Sequence, residues 1–355
     1  MESLVKRDKL TVGLLALLAV IACGAVLDAA QSVVLPLVIA WLLSYILGPA
    51  ISALTRRKVP TGLAVTLILV LLLGVCYLLT IFLHARVSAF AAAYPQYQEK
   101  LSDLTATIAA RWNLKWNPFV GIDWGEKVGG FLVDLTGSLF TFLSSLLMVF
   151  IFLVFLLLGK PYFNYKVKKA FAPLYATRII SILNSIAGEI GRYLSVQFLI
   201  SLATGILVWL ALMFLGVQFA ITWGALAFLL NFIPTVGSII ASVPPVLLAL
   251  VQFHPSYWQS IATLLVLLTI QMSIGNVLAP KVLGDQLNLS PVVVLLSLVF
   301  WGWLWGIAGA ILSVPIASAV KIVCEHIEPL HPIAVMMGAG KSYRREFERV
   351  PPDNE

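Results

Sequence analysis

The stretch ITWGALAFLLNFIPTVGSIIASVPPVLLALVQ, residues 221–252, decides the fold. It is apolar almost throughout, yet Asn231, Pro234 and Gly237 interrupt it in the middle. The flanking arms, residues 219–230 and 238–252, run to 12 and 15 residues. Crossing a bilayer core takes about 20 residues of helix. Two short arms about a Pro–Gly break therefore predict a helical hairpin that enters the bilayer and returns. Lipid offers freed amides and carbonyls nothing to bond, so such a break is tolerated only inside protein or along a cavity. The break is accordingly the first place to look for a solute pathway.

Outward from this stretch the same character persists, and residues 196–280 contain no Asp, Glu, Lys or Arg. A second unit of similar plan lies at 291–320, where apolar arms 292–299 and 307–320 flank Trp301-Gly302-Trp303-Leu304-Trp305-Gly306. The first unit carries Gly237 followed by Ser242-Val243-Pro244; the second carries Gly309 followed by Ser313-Val314-Pro315. A span with a glutamine precedes each, Gln197 lying 47 residues before Pro244 and Gln271 lying 44 before Pro315. Pro280, Gly284 and Pro291 punctuate the connection between the two units. Given a cytoplasmic amino terminus, the first hairpin opens outward and the second inward. That is an inverted repeat of span plus broken hairpin, a pattern that points to an alternating-access site near mid-membrane.

Composition agrees. The 355 residues are 61% hydrophobic and only 11% charged, with a mean hydropathy of +1.00, against roughly 25% charged residues in soluble domains. The fold class expected is an all-α polytopic membrane protein with about six full spans plus the two broken hairpins. Apolar runs at 10–27, 33–54, 63–84, 139–158, 196–215 and 260–278 supply the spans. If the amino terminus is cytoplasmic, 18 of the 23 Lys and Arg residues fall on inner segments and 5 on outer ones. The positive-inside rule then places both termini in the cytoplasm. The net charge of +7 is a topology signal, and nucleic acid is not expected as a partner. A basic start followed by Val20-Ile21-Ala22-Cys23 has some likeness to a lipoprotein signal, but the apolar run continues past Cys23, and a first transmembrane helix is the reading adopted.

The expected organisation is scaffold helices at 1–85, an extracytoplasmic amphipathic segment at 86–137, a transmembrane helix at 138–159, a cytoplasmic amphipathic helix at 160–195, a transport unit at 196–325 and a cytoplasmic tail at 326–355. The 160–195 segment places lysines early and apolar residues at Ile179, Ile182, Leu183, Ile186 and Ile190, a pattern suited to the lipid surface or the underside of the bundle.

An uncharged pathway needs hydrogen-bonding groups in place of water. Amide side chains and unwound carbonyls provide donors and acceptors without fixed charge. The candidates are Asn231 and Asn276 beside the breaks, with Thr235, Gln197 and Gln271. Such groups also glue membrane helices together, and for the glutamines the two readings stand level. Pro234, Gly237, Pro244, Pro280, Gly284, Pro291, Gly306, Gly309 and Pro315 are break or hinge candidates; the glycines serve close packing equally well. Ion coupling would call for an intramembrane ionisable group. Lys281 with Asp285, and Glu189 with Arg192, are the candidates, and a helix-end ion pair is the blander reading of each. No enzyme chemistry is expected. Gly340-Lys341-Ser342 ends like a phosphate-binding loop, but the required first glycine is Val335. His326 and His331 have no ligand set around them, and Cys23, Cys76 and Cys324 are scattered, so neither metal nor cofactor is expected.

Asn231-Phe232-Ile233-Pro234-Thr235-Val236-Gly237, Pro244-Pro245, Gly275-Asn276 through Pro280-Lys281 to Gly284, Leu289-Ser290-Pro291 and Leu312-Ser313-Val314-Pro315 together resemble the signature of the autoinducer-2 exporter (AI-2E) family. The resemblance covers 196–325 densely and the remainder collinearly, including Arg56-Arg57-Lys58-Val59-Pro60. It implies a bacterial inner-membrane permease, export of the quorum-sensing signal autoinducer-2 or a similar neutral polar solute, and a homo-oligomer, a pentamer, in contact with lipid. Other members are associated with sodium–proton exchange, which makes a monovalent cation–proton antiporter the alternative. A non-transporting membrane scaffold or sensor is the alternative of another class.

Overall fold

The computed structural model describes residues 15, 18–19, 22, 24–78, 81–82, 85, 89, 100, 146–159, 162–234, 236–283 and 288–340. Among them every extended regular element is a helix. The one strand-like pairing is an isolated antiparallel bridge between Leu289 and Gly338. In chain order the helices are α1 (Gln31–Arg56), α2 (Thr61–Leu78), α3 (Leu146–Gly159), α4 (Tyr162–Ala170), α5 (Pro173–Phe214), α6 (Ala220–Leu230), α7 (Val236–Gln252) and α8 (Trp258–Ser273). A π-helix (Ile274–Leu278) leads into α9 (Ala279–Leu283), and α10 (Pro291–Glu325) and α11 (His331–Met337) follow. The expected amphipathic segment at 86–137 lies outside the described residues except for two positions.

Among the described residues five helical runs are long and apolar enough to cross a membrane: α1, α2, α5, α8 with its π-helix, and α10. Helices α3 and α4, bent by 70° to one another, would add a sixth as a pair. Little of their apolar surface is covered. In α1, α2, α5 and α8 only 17–33% of the most apolar window is buried, against 56% in α10. Side chains such as Phe214, Trp303, Phe155 and Leu71 stand exposed, as suits a hydrocarbon surrounding. This is an all-α polytopic membrane protein.

The pattern in 160–195 predicts a cytoplasmic helix separate from the following span. The structure instead interrupts the chain at Phe171–Ala172 and then runs α5 as one helix of 42 residues. At 1.5 Å per residue that is about 63 Å, roughly twice a bilayer core. Pro173 opens it where a missing N–H costs nothing. No further proline follows before its end, and interior glycines weaken a helix without stopping it.

The chain resolves into two compact units. One holds the described residues up to Thr61, those from 146 to Gly191 and those from 288 onward; the other holds those from Gly62 to 100 and from Arg192 to 283. The hairpin around 231–237 therefore belongs to one unit and the break around Trp305–Gly306 to the other.

In the second unit, the last half of α5 packs with α6, α7 and α8 about Val208, Leu212, Ala227, Ala241, Leu248, Ala249 and Leu267. Lipid is as apolar as this core, so close approach and van der Waals packing hold it together rather than exclusion of water. The small residues fit that need. A Cβ on Gly205 would lie 2.8 Å from the carbonyl oxygen of Gly224, and one on Gly224 would lie 2.6 Å from the Cβ of Trp209. Helices α5 and α6 thus touch backbone to backbone. The free ends of the hairpin are tied by Gln252, whose Nε2 donates to Gly216 O at 2.7 Å while its Oε1 accepts from the Gln218 N–H at 2.8 Å.

Candidate functional site

The first break is built around a proline that cannot donate. Helix α6 ends at Asn231, whose N–H still reaches Ala227 O at 3.0 Å. The chain then turns through Phe232, Ile233 and Pro234, and the Gly237 N–H returns to Ile233 O at 3.1 Å. At the closest point of the two arms, a Cβ on Gly237 would fall 1.8 Å from the carbonyl oxygen of Leu230. Gly237 is therefore a packing glycine, required by the sharpness of the return. Thr235 lies outside the described residues. Pro244 and Pro245 sit inside α7, Pro245 buried.

A side-chain network holds this break to α5. Gln197 Nε2 donates to Asn231 O at 2.7 Å, and Asn231 Nδ2 donates to Ser201 Oγ at 3.0 Å. Gln197 and Ser201 are four apart on α5 and so share a face. Ser201 is fully buried, as is Thr204 nearby, whose hydroxyl donates to Ile200 O at 2.8 Å. A carbonyl can only accept, so Gln197 must present its NH₂ to Asn231 O; its own Oε1 then faces away from that bond. No described residue donates to Gln197 Oε1 or to Asn231 Oδ1. The cluster is neutral, held in place by its donors, and keeps two acceptors in reserve.

The second sequence-predicted pair behaves differently. Gln271 closes α8 and Asn276 lies exposed in the π-helix, where the Ala279 N–H bonds back five residues to Ile274 O. A proline inside an α-helix removes an N–H and crowds the carbonyl four residues before it, so the sequence Asn276–Pro280 is one in which a widened turn relieves the ladder. Such turns concentrate at functional positions. Neither Gln271 nor Asn276 makes a side-chain hydrogen bond among the described residues. The structure thus joins Gln197 and Asn231 and leaves Gln271 and Asn276 outside their network. Ser201 was missed from the sequence; its i+4 spacing from Gln197 in a charge-free span was the available signal.

The break in the other unit is a hairpin as well. Helix α10 opens with Pro291 at its first turn, and Trp305 (φ −125°, ψ 17°) and Gly306 (φ 61°, ψ −142°) leave the helical region within it. The arms then double back, so that Ser297 Oγ donates to Ser313 O at 2.8 Å across sixteen residues. A straight helix would set those residues about 24 Å apart. Gly306 needs the positive φ that a side chain resists. Gly309 repeats the part of Gly237, for its Cβ would fall 1.9 Å from Trp301 O. Pro315 is buried. Here the break is lined by aromatic rings, Trp301 and Trp305 lying 4.7 Å apart, and the Trp305 indole N–H donates to Leu27 O at 3.4 Å.

Of the ionisable candidates, Lys281, Glu189 and Arg192 are exposed on their helices, while Asp285 and Gly284 lie outside the described residues. An unforeseen pair stands at the end of α10, where buried Lys321 meets Glu325 at 2.7 Å. Its i,i+4 spacing of opposite charges was legible in Lys321–Glu325. Beside it the Arg178 guanidinium donates to the carbonyl of His326. Among the described residues no three His, Cys, Asp or Glu side chains group as metal ligands. Residues 335–337, the start of the loop-like stretch, end helix α11. A cavity of about 300 Å³ lies between α1, α3, α4 and α5 in the first unit, and none of the site residues named from the sequence lines it.

Comparison with known proteins gives a consistent result. The family model described as "AI-2E family transporter" matches residues 15–328. The chain is 31% identical over 335 residues to "AI-2 transport protein TqsA" of Escherichia coli K12, covering 91% of this chain and 94% of that one. It is 34% identical over 312 residues to a protein of Borreliella burgdorferi named "Putative transport protein", covering 88% and 86%. YhhT of Escherichia coli K12, of the same description, is 33% identical over 337 residues, covering 93% and 95%.

Proposed function

This chain belongs to the AI-2E family of transporters, and on that premise we propose that it carries a small, neutral, hydroxyl-rich solute of the autoinducer-2 class across the bacterial cytoplasmic membrane. The relative named for autoinducer-2 transport supports the solute. The observation that carries the reading is the Gln197–Asn231–Ser201 network, an uncharged cluster fixed at a helix break with acceptor oxygens unused. A polyol sheds water hydrogen bonds on entering the membrane, and amide and carbonyl oxygens replace them one for one without attracting ions. Asn276, beside backbone loosened by the π turn, is the second contact in this proposal. Both hairpins are taken as re-entrant and oppositely directed, both termini as cytoplasmic, and transport as alternating access within a homo-oligomer. The pentamer comes from the family resemblance.

The experiment is flux of autoinducer-2 into proteoliposomes containing the full chain, compared with an Asn231→Ala/Asn276→Ala protein. One replaced hydrogen bond is worth about 0.5–1.5 kcal/mol, so Gln197→Leu should raise the half-saturating solute concentration about two- to twelvefold and the double variant more. Equal flux in wild type and double variant would remove the site. Absence of flux in both, with proton movement on adding sodium, would favour cation–proton exchange instead.

A further inference from the structure

We propose that the cavity between α1, α3, α4 and α5 is a binding site for an anionic phospholipid, whose phosphate headgroup sits against Lys166. The cavity mixes polar and apolar lining, with buried Ser44 inside it and exposed Phe155 and Phe163 at its open side. At its mouth are exposed Asn164, Lys166 and Asn184, offering one cation and two amides; farther in are Trp41, Leu156 and Leu183. Its volume of about 300 Å³ lies at the lower end for small-molecule sites. It suits a headgroup and the first part of its glyceryl body, with the chains left outside. Among the described residues no carboxylate pairs with Lys166. The charge at the mouth is therefore open to an anion from solution or bilayer.

What favours a lipid over a soluble phosphate is the surroundings. Around the mouth, α4 and the start of α5 expose Tyr162, Phe163, Tyr165, Phe171, Leu174 and Tyr175. Lys166, Lys168, Lys169 and Arg178 are interleaved with them. Exposed aromatic rings mixed with basic side chains mark the membrane–water boundary, and basic pockets between helices at the cytoplasmic face take anionic headgroups. Phe155, 71% exposed on α3 and lining the cavity, offers an apolar surface to an acyl chain leaving it. The inference uses the membrane setting of the family but not the identity of the solute, and its test is read without transport.

The test is retention of phosphatidylglycerol against phosphatidylcholine by the full chain in detergent, counted per subunit by native mass spectrometry. One lysine near an anionic surface is worth about fivefold in affinity. Wild type should therefore prefer phosphatidylglycerol about fivefold, Lys166→Gln should lose that preference, and Lys166→Arg should keep it. Lys168→Gln, outside the cavity, should leave it unchanged. Equal losses from Lys166→Gln and Lys168→Gln would reduce the effect to general surface charge and overturn the site. Displacement of the lipid by millimolar glycerol phosphate would overturn the lipid assignment in favour of a soluble phosphate compound.

Discussion

Gly237→Ala tests whether the first hairpin is as tightly folded as its coordinates make it. The new Cβ would sit 1.8 Å from Leu230 O, and contacts below 3.0 Å are essentially never seen. The arms must therefore part by about 1.2 Å at the least, and the obstacle is backbone, which cannot swing aside as a side chain would. Overpacking of this kind costs about 1–3 kcal/mol, and with backbone on both sides the upper end applies. A loss of about 2–3 kcal/mol lowers an unfolding midpoint by about 3–4 °C in a chain of this size. Gly309→Ala, with Trp301 O at 1.9 Å, should match it. Gly188→Ala is the internal control: nothing lies within 4 Å of its Cβ in the middle of α5, so the better helix former should leave the midpoint unchanged or raise it slightly. The assay is thermal unfolding of the purified full chain in one detergent, followed by tryptophan emission. If Gly237→Ala and Gly188→Ala melt together, the arms are not in contact at that point and the hairpin geometry is wrong.

Three further outcomes follow from the same coordinates. Gly302→Cys/Ala310→Cys, in a background freed of Cys23, Cys76 and Cys324, should form a disulfide, because a Cβ at 302 would lie 3.7 Å from that of Ala310, within bonding range. A straight helix, about 12 Å between residues eight apart, would give no cross-link on a denaturing gel. Glu325→Gln should destabilise more than Lys321→Met. The first strands a buried ammonium, whereas the second leaves a carboxylate that is 38% exposed; equal losses in a denaturant melt would contradict this. Ser201→Ala and Asn231→Leu should be non-additive in stability by about 0.6 kcal/mol, the mean for hydrogen bonds between membrane helices, and by no more than about 1.7 kcal/mol; strict additivity in a double-mutant cycle would deny the bond.

Much of this architecture is readable in the residues, for reasons that are local. Pro234 and Gly306 act on their own backbone, so each break appears in the sequence where it appears in the fold. Gln197 and Asn231 were candidates because an uncharged pathway needs amide donors and acceptors, and the structure joins them through the backbone carbonyl of Asn231. Ser201 offered only its spacing from Gln197 as a signal, and that is weak, since a serine in a membrane helix satisfies itself on a carbonyl as readily as on a neighbour. Nor was the union of 173–214 into one helix. Periodicity changes from amphipathic to wholly apolar near residue 195 as lipid replaces water, and that change in surroundings reads like a boundary although the backbone has none. The parts taken by Gly237 and Gly309 depend on a carbonyl seven or eight residues earlier, a relation that exists only once the chain has turned back.

The π turn at Ile274–Leu278 sets the rotational phase of everything after it. It holds one residue more than the α ladder would use, and each residue turns a helix by about 100°. Delete a single residue there and the ladder heals to α geometry, but Lys281 and the rest of α9 swing by that angle to a new azimuth. Substitutions at Asn276 change one side chain; a deletion beside it re-aims a whole segment. The segment can therefore vary in chemistry far more freely than it can vary in length.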